Sequence, residues 1–107
     1  MDLVKDRPAV KDWWKRYERR WGRPPMSFSL RGYDTITVLA EALKRANSLT
    51  DPEKYREAMS KSNFSNILFG FNGAPYFDEL GQARQYFGVL QFQNGNRVVV
   101  YDEGKNQ

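Results

Sequence analysis

Two runs of β-branched and aromatic residues, Gln85–Gln93 and Arg97–Tyr101, flank Asn94-Gly95-Asn96. Asn-Gly between such runs is the strongest short-range signal for an antiparallel hairpin, because a tight turn of the right twist needs positive φ at its centre. This feature fixes the end of the chain as β structure. With strict alternation, Tyr86, Gly88, Leu90 and Phe92 share one face, and Phe87, Val89 and Gln91 share the other. The run Val98-Val99-Val100 is apolar on both faces, which predicts a strand covered on both sides. The polar tail, 102–107, is expected to fray.

Three segments of helical period precede the hairpin. The first is predicted over Pro8–Trp21, capped by Asp6, with Pro8 in the first turn where its missing N–H costs nothing. Val10, Trp13, Trp14, Tyr17 and Trp21 recur at i, i+3/i+4 and i+7, one wide aromatic stripe. Gly22 and Arg23-Pro24-Pro25 stop it. Met26 to Leu30 reads as a connector that carries Phe28. A second helix is predicted from Leu30 to Ala46. Gly32, Ile36, Leu39, Leu43 and Ala46 lie on one stripe, with Tyr33, Thr37 and Ala40 beside it. Lys44 and Arg45 suit the negative end of the dipole. The third helix opens at Thr50-Asp51-Pro52-Glu53. Either Thr50 caps it with Glu53 reaching back, or Asp51 caps it with Pro52 as its first residue. It runs to Lys61 with Tyr55, Ala58 and Met59 inward, and it is short and polar enough to need tertiary packing.

The composition changes after Ser62. A short strand is expected near Ile67–Phe71, a turn at Asn72-Gly73 and an edge strand at Pro75–Phe77. A further turn follows at Asp78-Glu79-Leu80-Gly81, with Gly81 available for positive φ. Helices followed by strands make the stand-alone chain α+β: three helices and then a hairpin-containing sheet. At 107 residues it is a single domain or a fragment of one. Its helical part is 8–61 and its strand part 64–101, with the hairpin at 85–101 and the tail at 102–107.

The chemistry is bounded by two absences. There is no His and no Cys. That removes imidazole acid–base catalysis, a thiol nucleophile, thiolate or imidazole zinc sites and disulfides. Asp78-Glu79 is an adjacent carboxylate pair, but neighbours in a turn point apart, and nothing makes them converge as a hydrolase requires. Gly70-Phe71-Asn72-Gly73 lacks the Lys-Ser/Thr of a phosphate loop and opens no helix. Residues 1–23 hold eight of the seventeen Lys and Arg and four of the thirteen Asp and Glu, so the net +4 belongs to the first helix. A basic helix can meet phosphates, and it is also what a solvated helix face looks like. No RNA-binding motif, zinc finger or helix-turn-helix accompanies it. Neither catalytic residues, metal, cofactor nor nucleic-acid partner is expected. The aromatic stripe Trp13, Trp14, Tyr17 and Trp21 is either core or a docking face. No run of about 18 apolar residues exists to span a membrane, and Met1–Asp6 lacks the apolar centre of a secretory signal.

Several of these pieces stand in a familiar order. The helix Ala9–Tyr17 ends in Trp21-Gly22-Arg23-Pro24-Pro25. Gly32-Tyr33-Asp34-Thr35 leads into Val38–Ala46, and Asp51-Pro52-Glu53-Lys54-Tyr55-Arg56-Glu57-Ala58 opens the next helix. Then come Gly73, Phe77-Asp78-Glu79-Leu80-Gly81-Gln82, Phe87–Gly95 and the final Val-Val-Val-Tyr strand. Over residues 8–101 the ordered set resembles the C-terminal segment of type I periplasmic solute-binding proteins of ABC importers, of the branched-chain amino-acid (leucine/isoleucine/valine) type. The resemblance implies a share of a two-lobed α/β fold that closes on a small solute, an amino acid or similar, and presents the closed form to a membrane permease. It implies a periplasmic or extracytoplasmic location, no catalysis and no cofactor. It places an aromatic against the solute just before the Tyr-initiated helix, which is Phe28 here, with Tyr33 opening the helix.

Phe69-Gly70-Phe71-Asn72 is an insertion relative to that family. The family's leader and the first two-thirds of its chain lie outside this sequence. Its sheet would then not cover the Trp stripe and strand faces, and binding by this chain alone is in question. A homodimer is the expected compensation. The alternative is an independent α+β interaction module that docks through its Trp stripe or its Arg-rich helix.

Overall fold

A computed structural model describes residues 3–61, 63–64, 67–69, 77–83 and 87–103. The chain divides into two compact units, one of Met1–Ser27 with Tyr86–Gln107 and one of Phe28–Gln85.

In the first unit, helix α1 spans Pro8–Trp21 as predicted. Its N-cap is Arg7, in extended conformation and without a side-chain cap. Asp6 is not the cap. The Arg7 N–H donates to the Val4 carbonyl at 3.0 Å, a turn that takes up Asp6 and leaves Arg7 as the last extended residue. The Asp6 carboxylate lies instead 3.8 Å from Lys11 Nζ. At the other end Gly22 takes φ 65° and its N–H donates to the Glu18 carbonyl at 2.8 Å, a left-handed cap that glycine adopts without strain. Val4, Val10 and Trp13 are buried.

Strands β1 (Gly88–Gln93) and β2 (Asn96–Asp102) form an antiparallel two-stranded sheet. Asn94 (φ 50°) and Gly95 (φ 79°) are its two-residue turn, both in the left-handed region, as a type I′ hairpin requires. Asn96 therefore belongs to β2 and not to the turn. Residues 84–86, where the first strand was expected to begin, lie outside the described residues.

Strict alternation does not hold. Val89 faces Tyr101 while Leu90 faces Val99, so Val100 is an extra residue bulged out of β2. The valine run is not covered on both sides either. Among the described residues the sheet has two strands, with Val98 and Val100 exposed and Val99 half-buried. Asp102 ends β2. Glu103 is tied down, its N–H donating to the Phe87 carbonyl and its carboxylate accepting from the Phe87 N–H, each at 3.2 Å. Gly88 stands where no side chain fits: a Cβ there would lie 2.6 Å from the Tyr101 carbonyl oxygen and closer still to Leu3.

In the second unit, helix α2 (Ser27–Ala46) starts three residues before the predicted Leu30 and takes in Phe28, which is therefore helical and not in a connector. Asn47, at φ 50°, ends it. Helix α3 is Pro52–Lys61. Of the two possible caps, Asp51 is the one used. Its Oδ1 accepts from the N–H groups of Glu53 (3.1 Å) and Lys54 (3.4 Å), and Pro52 is the first helical residue. Ser48 Oγ accepts from the Asp51 N–H at 3.1 Å and fixes the approach.

The core of this unit is Val38, Phe64 and Ile67, with Met59 and Phe77 packed against it. The inward row of α2 is Leu30, Asp34, Val38 and Ala42. The predicted stripe through Ile36 and Leu39 is on the other side: Ile36 is 65% exposed, and Leu39 is exposed as well. Ile67, Leu68 and Phe69 are buried but form no strand, and the rest of that predicted strand, with the Asn72-Gly73 turn, lies outside the described residues. Phe77 makes a single antiparallel bridge to Ala83 around the expected turn, with Gly81 at φ 78°.

Candidate functional site

Asp34 is the one buried charged residue among those described, 3% exposed. Its position follows from helical spacing, since Leu30, Asp34, Val38 and Ala42 stand four apart on one face. Its carboxylate accepts from two backbone donors, Oδ1 from the Leu68 N–H at 2.6 Å and Oδ2 from the Phe69 N–H at 2.8 Å. A carboxylate that accepts two backbone N–H groups satisfies donors that would otherwise be buried without partners. The clamp holds the Ile67–Phe69 segment against α2, and the Arg31 guanidinium lies over the Phe69 ring at 4.4 Å. Asp34 organises the segment; both of its oxygens already hold protein donors.

Phe28 and Tyr33 both precede Asp34 on α2. Phe28 is 80% exposed and Tyr33 is exposed too. They are five residues apart, about 140° around the helix, so the two rings point in different directions. The structure places both on the N-terminal half of α2 and does not gather them into one pocket.

A separate open depression of about 360 Å³ lies where the end of α2 meets α3, lined by Arg45, Ala46, Lys54, Glu57, Ala58 and Lys61. Its cations are partly committed. Arg45 lies 5.1 Å over the Phe64 ring. Lys61 hydrogen-bonds Glu57, and that bond together with its charge holds the Glu57 carboxyl below the usual carboxylate range.

The aromatic stripe of α1 grades from core to surface. Trp13 is buried, Trp14 and Tyr17 are half-buried, and Trp21 is 61% exposed. The rings follow one another, Trp13 to Tyr17 at 5.4 Å and Tyr17 to Trp21 at 6.3 Å, with Arg20 5.6 Å from the Trp21 ring centre. The carboxylate of Asp78 is used locally: its Oδ1 accepts from the N–H groups of Leu80 (2.9 Å) and Gln82 (2.8 Å). It shapes its own turn. No group of acidic residues among those described is placed to hold a metal ion, and no helix of the described residues is long and apolar enough to cross a membrane.

Residues 4–97 match the family model described as periplasmic binding protein. The chain belongs to the periplasmic binding protein family. Among solved structures it is similar to a leucine-binding protein, LivK, from Thermotoga maritima, with 27% identity and a TM-score of 0.65. The match covers 95% of this chain and 28% of that one, so the chain spans little more than a quarter of its structural relative. Family membership accounts for the mixed α+β make-up as a portion of a larger periplasmic-binding-protein fold.

Sequence reasoning missed the role of Asp34. Its signal was present, as a second row of α2, Leu30/Val38/Ala42, with a carboxylate in the middle. A polar residue inside an apolar row argues against that row unless backbone donors 34 and 35 residues away are known.

Proposed function

We propose that this chain is a portion of a solute-binding lobe whose inherited role is to hold an amino acid or a similar small solute for import through an ABC permease, without catalysis. The reading includes a periplasmic or extracytoplasmic location and a branched-chain amino acid as the solute class. What carries it is the family match over residues 4–97, supported by the likeness to the leucine-binding protein.

Within this portion Phe28 and Tyr33 are the residues we assign to the solute. Phe28 offers an apolar ring at the entry of α2, suited to an aliphatic side chain. Charged ammonium and carboxylate groups need several convergent donors and acceptors, and these two residues do not supply them. Binding by this chain alone is therefore weak, with a dissociation constant of about 1 mM or above, equivalent to about 4 kcal/mol or less. Dimerisation of the chain, covering apolar surface such as Ile36 and Phe92, belongs to the same reading.

The test is an amide NMR titration with leucine, isoleucine, valine and a polar control such as glutamate. Shifts confined to residues around Phe28 and Tyr33, for the aliphatic amino acids only and lost in Phe28→Ala, are the expected outcome. No response up to about 10 mM would withdraw the solute role from these residues. Perturbation by any ligand centred instead on Trp21 would favour an independent interaction module.

A further inference from the structure

We propose that the outer edge of β1 pairs antiparallel with the same edge of a second copy, joining two hairpins into a four-stranded sheet. This rests on the self-association in the reading above and names its surface.

A strand with one neighbour presents a row of unpaired backbone groups, and proteins guard such edges with charge, proline or a bulge. Among the described residues each strand of this sheet has one neighbour, and the two edges differ. β2 carries Arg97, Asp102 and the bulge at Val100. β1 reads Gly-Val-Leu-Gln-Phe-Gln, with no charge, no proline and a regular course. Its side chains are open to solvent: Val89 and Leu90 are exposed and Phe92 is 77% exposed. Residues 88–102 hold one cation and one anion, and neither lies on β1, so the paired strands themselves carry no charge. The positive excess of residues 1–23 belongs to the same unit, so added salt should tighten the dimer.

The hairpin register fixes how they meet. Gln93 and Asn96 flank the two-residue turn and form a hydrogen-bonded pair, and Gln91 with Val98 is the next such pair. Leu90 and Phe92 therefore direct their backbone N–H and C=O groups away from β2. A two-fold axis through Gln91 sets Leu90 opposite the partner's Phe92 in a hydrogen-bonded pair, and sets Phe92 opposite the partner's Leu90. Each pair joins two apolar side chains on one face. The axis at Leu90 would instead set Phe92 opposite glycine and lose that contact. The exposed apolar side chains of β1, Val89, Leu90 and Phe92, at roughly 80 Å² each, offer roughly 240 Å² per copy, well below the ~800 Å² of a standard stable interface. The dimer is accordingly weak and reversible, with a dissociation constant of about 100 μM or above.

On the axis, Gln91 occupies a non-hydrogen-bonded site, where opposed Cα atoms lie about 4.5 Å apart, within disulfide range. The chain has no cysteine, so a single one reports without ambiguity. Gln91→Cys under mild oxidation should give a covalent dimer within minutes, while Val98→Cys, on the other edge, should not. Phe92→Lys should raise the dissociation constant, measured by sedimentation, at least tenfold with an unchanged circular dichroism spectrum. A wild-type dimer whose Gln91→Cys variant stays uncrosslinked, or whose Val98→Cys variant crosslinks as fast, would overturn the β1 edge while leaving self-association standing. A wild-type monomer at about 1 mM would overturn both.

Discussion

Asp34 shows how much one residue can decide in a small core. Its two oxygens take the N–H groups of Leu68 and Phe69, both buried, from a segment with no strand to satisfy it. Asp34→Ala leaves two buried donors without partners, at about 1–3 kcal/mol each. Total stability for a domain is about 5–15 kcal/mol. The variant should lose about 2–5 kcal/mol in urea denaturation. Asp34→Asn keeps one carbonyl acceptor and should lose less than half as much. Equal losses would mean that the charge and not the acceptor count holds the segment. Gly88 is the other position where one atom matters. A Cβ there meets the Tyr101 carbonyl at 2.6 Å, and backbone cannot step aside as a side chain can. Gly88→Ala should cost about 1–3 kcal/mol as overpacking, read as a lower denaturation midpoint at unchanged slope.

At the scale of elements, sequence legibility tracked how local the cause was. Helix α1 was legible to the residue because Pro8 and Gly22 act on their own backbone. The hairpin turn was legible because Asn94 and Gly95 are the two residues that take positive φ. The bulge at Val100 was not, since register is settled between strands and valine alone carries no mark of it. The start of α2 was misjudged because Phe28 breaks no helix rule and follows no breaker nearer than Pro25. Helix α3 buries no residue completely; Met59 packs against the core, and the helix ends and exposed ion pairs add to that contact. Asp51→Ala removes an acceptor shared by two N–H groups and should cost about 1 kcal/mol, seen as lost helicity near 222 nm. The Glu57–Lys61 pair adds a pH dependence of known sign. Lys61 holds the folded Glu57 carboxyl below its unfolded value, so its contribution is complete above the ordinary carboxylate range and fades as pH falls through the lower folded value. Far-UV circular dichroism on acidification should show a step that Glu57→Gln lacks.

For the whole molecule, α2 carries two apolar rows on opposite sides, and the sequence invites the wrong one. Gly32, Ile36, Leu39 and Leu43 form an uninterrupted stripe, whereas Leu30, Val38 and Ala42 are interrupted by Asp34. The chain buries the interrupted row because only that face supplies an acceptor for Leu68 and Phe69. Ile36 and Leu39 of the uninterrupted row are left at the surface, as expected of a helix whose second face is meant for another layer of the family's larger fold, of which this chain spans a minor share, while Leu43 is half-buried. A pair of substitutions separates the two rows. Val38→Ala removes methyl groups from the contact with Phe64 and Ile67 and should cost about 2 kcal/mol. Ile36→Ser changes an exposed side chain and should leave the stability of this chain within about 0.5 kcal/mol. It should also reduce binding of a hydrophobic dye, because it removes part of the uncovered row. If Ile36→Ser instead destabilised the chain as much as Val38→Ala, the two rows would have to exchange roles in solution, and the Asp34 clamp would not be what orients the helix.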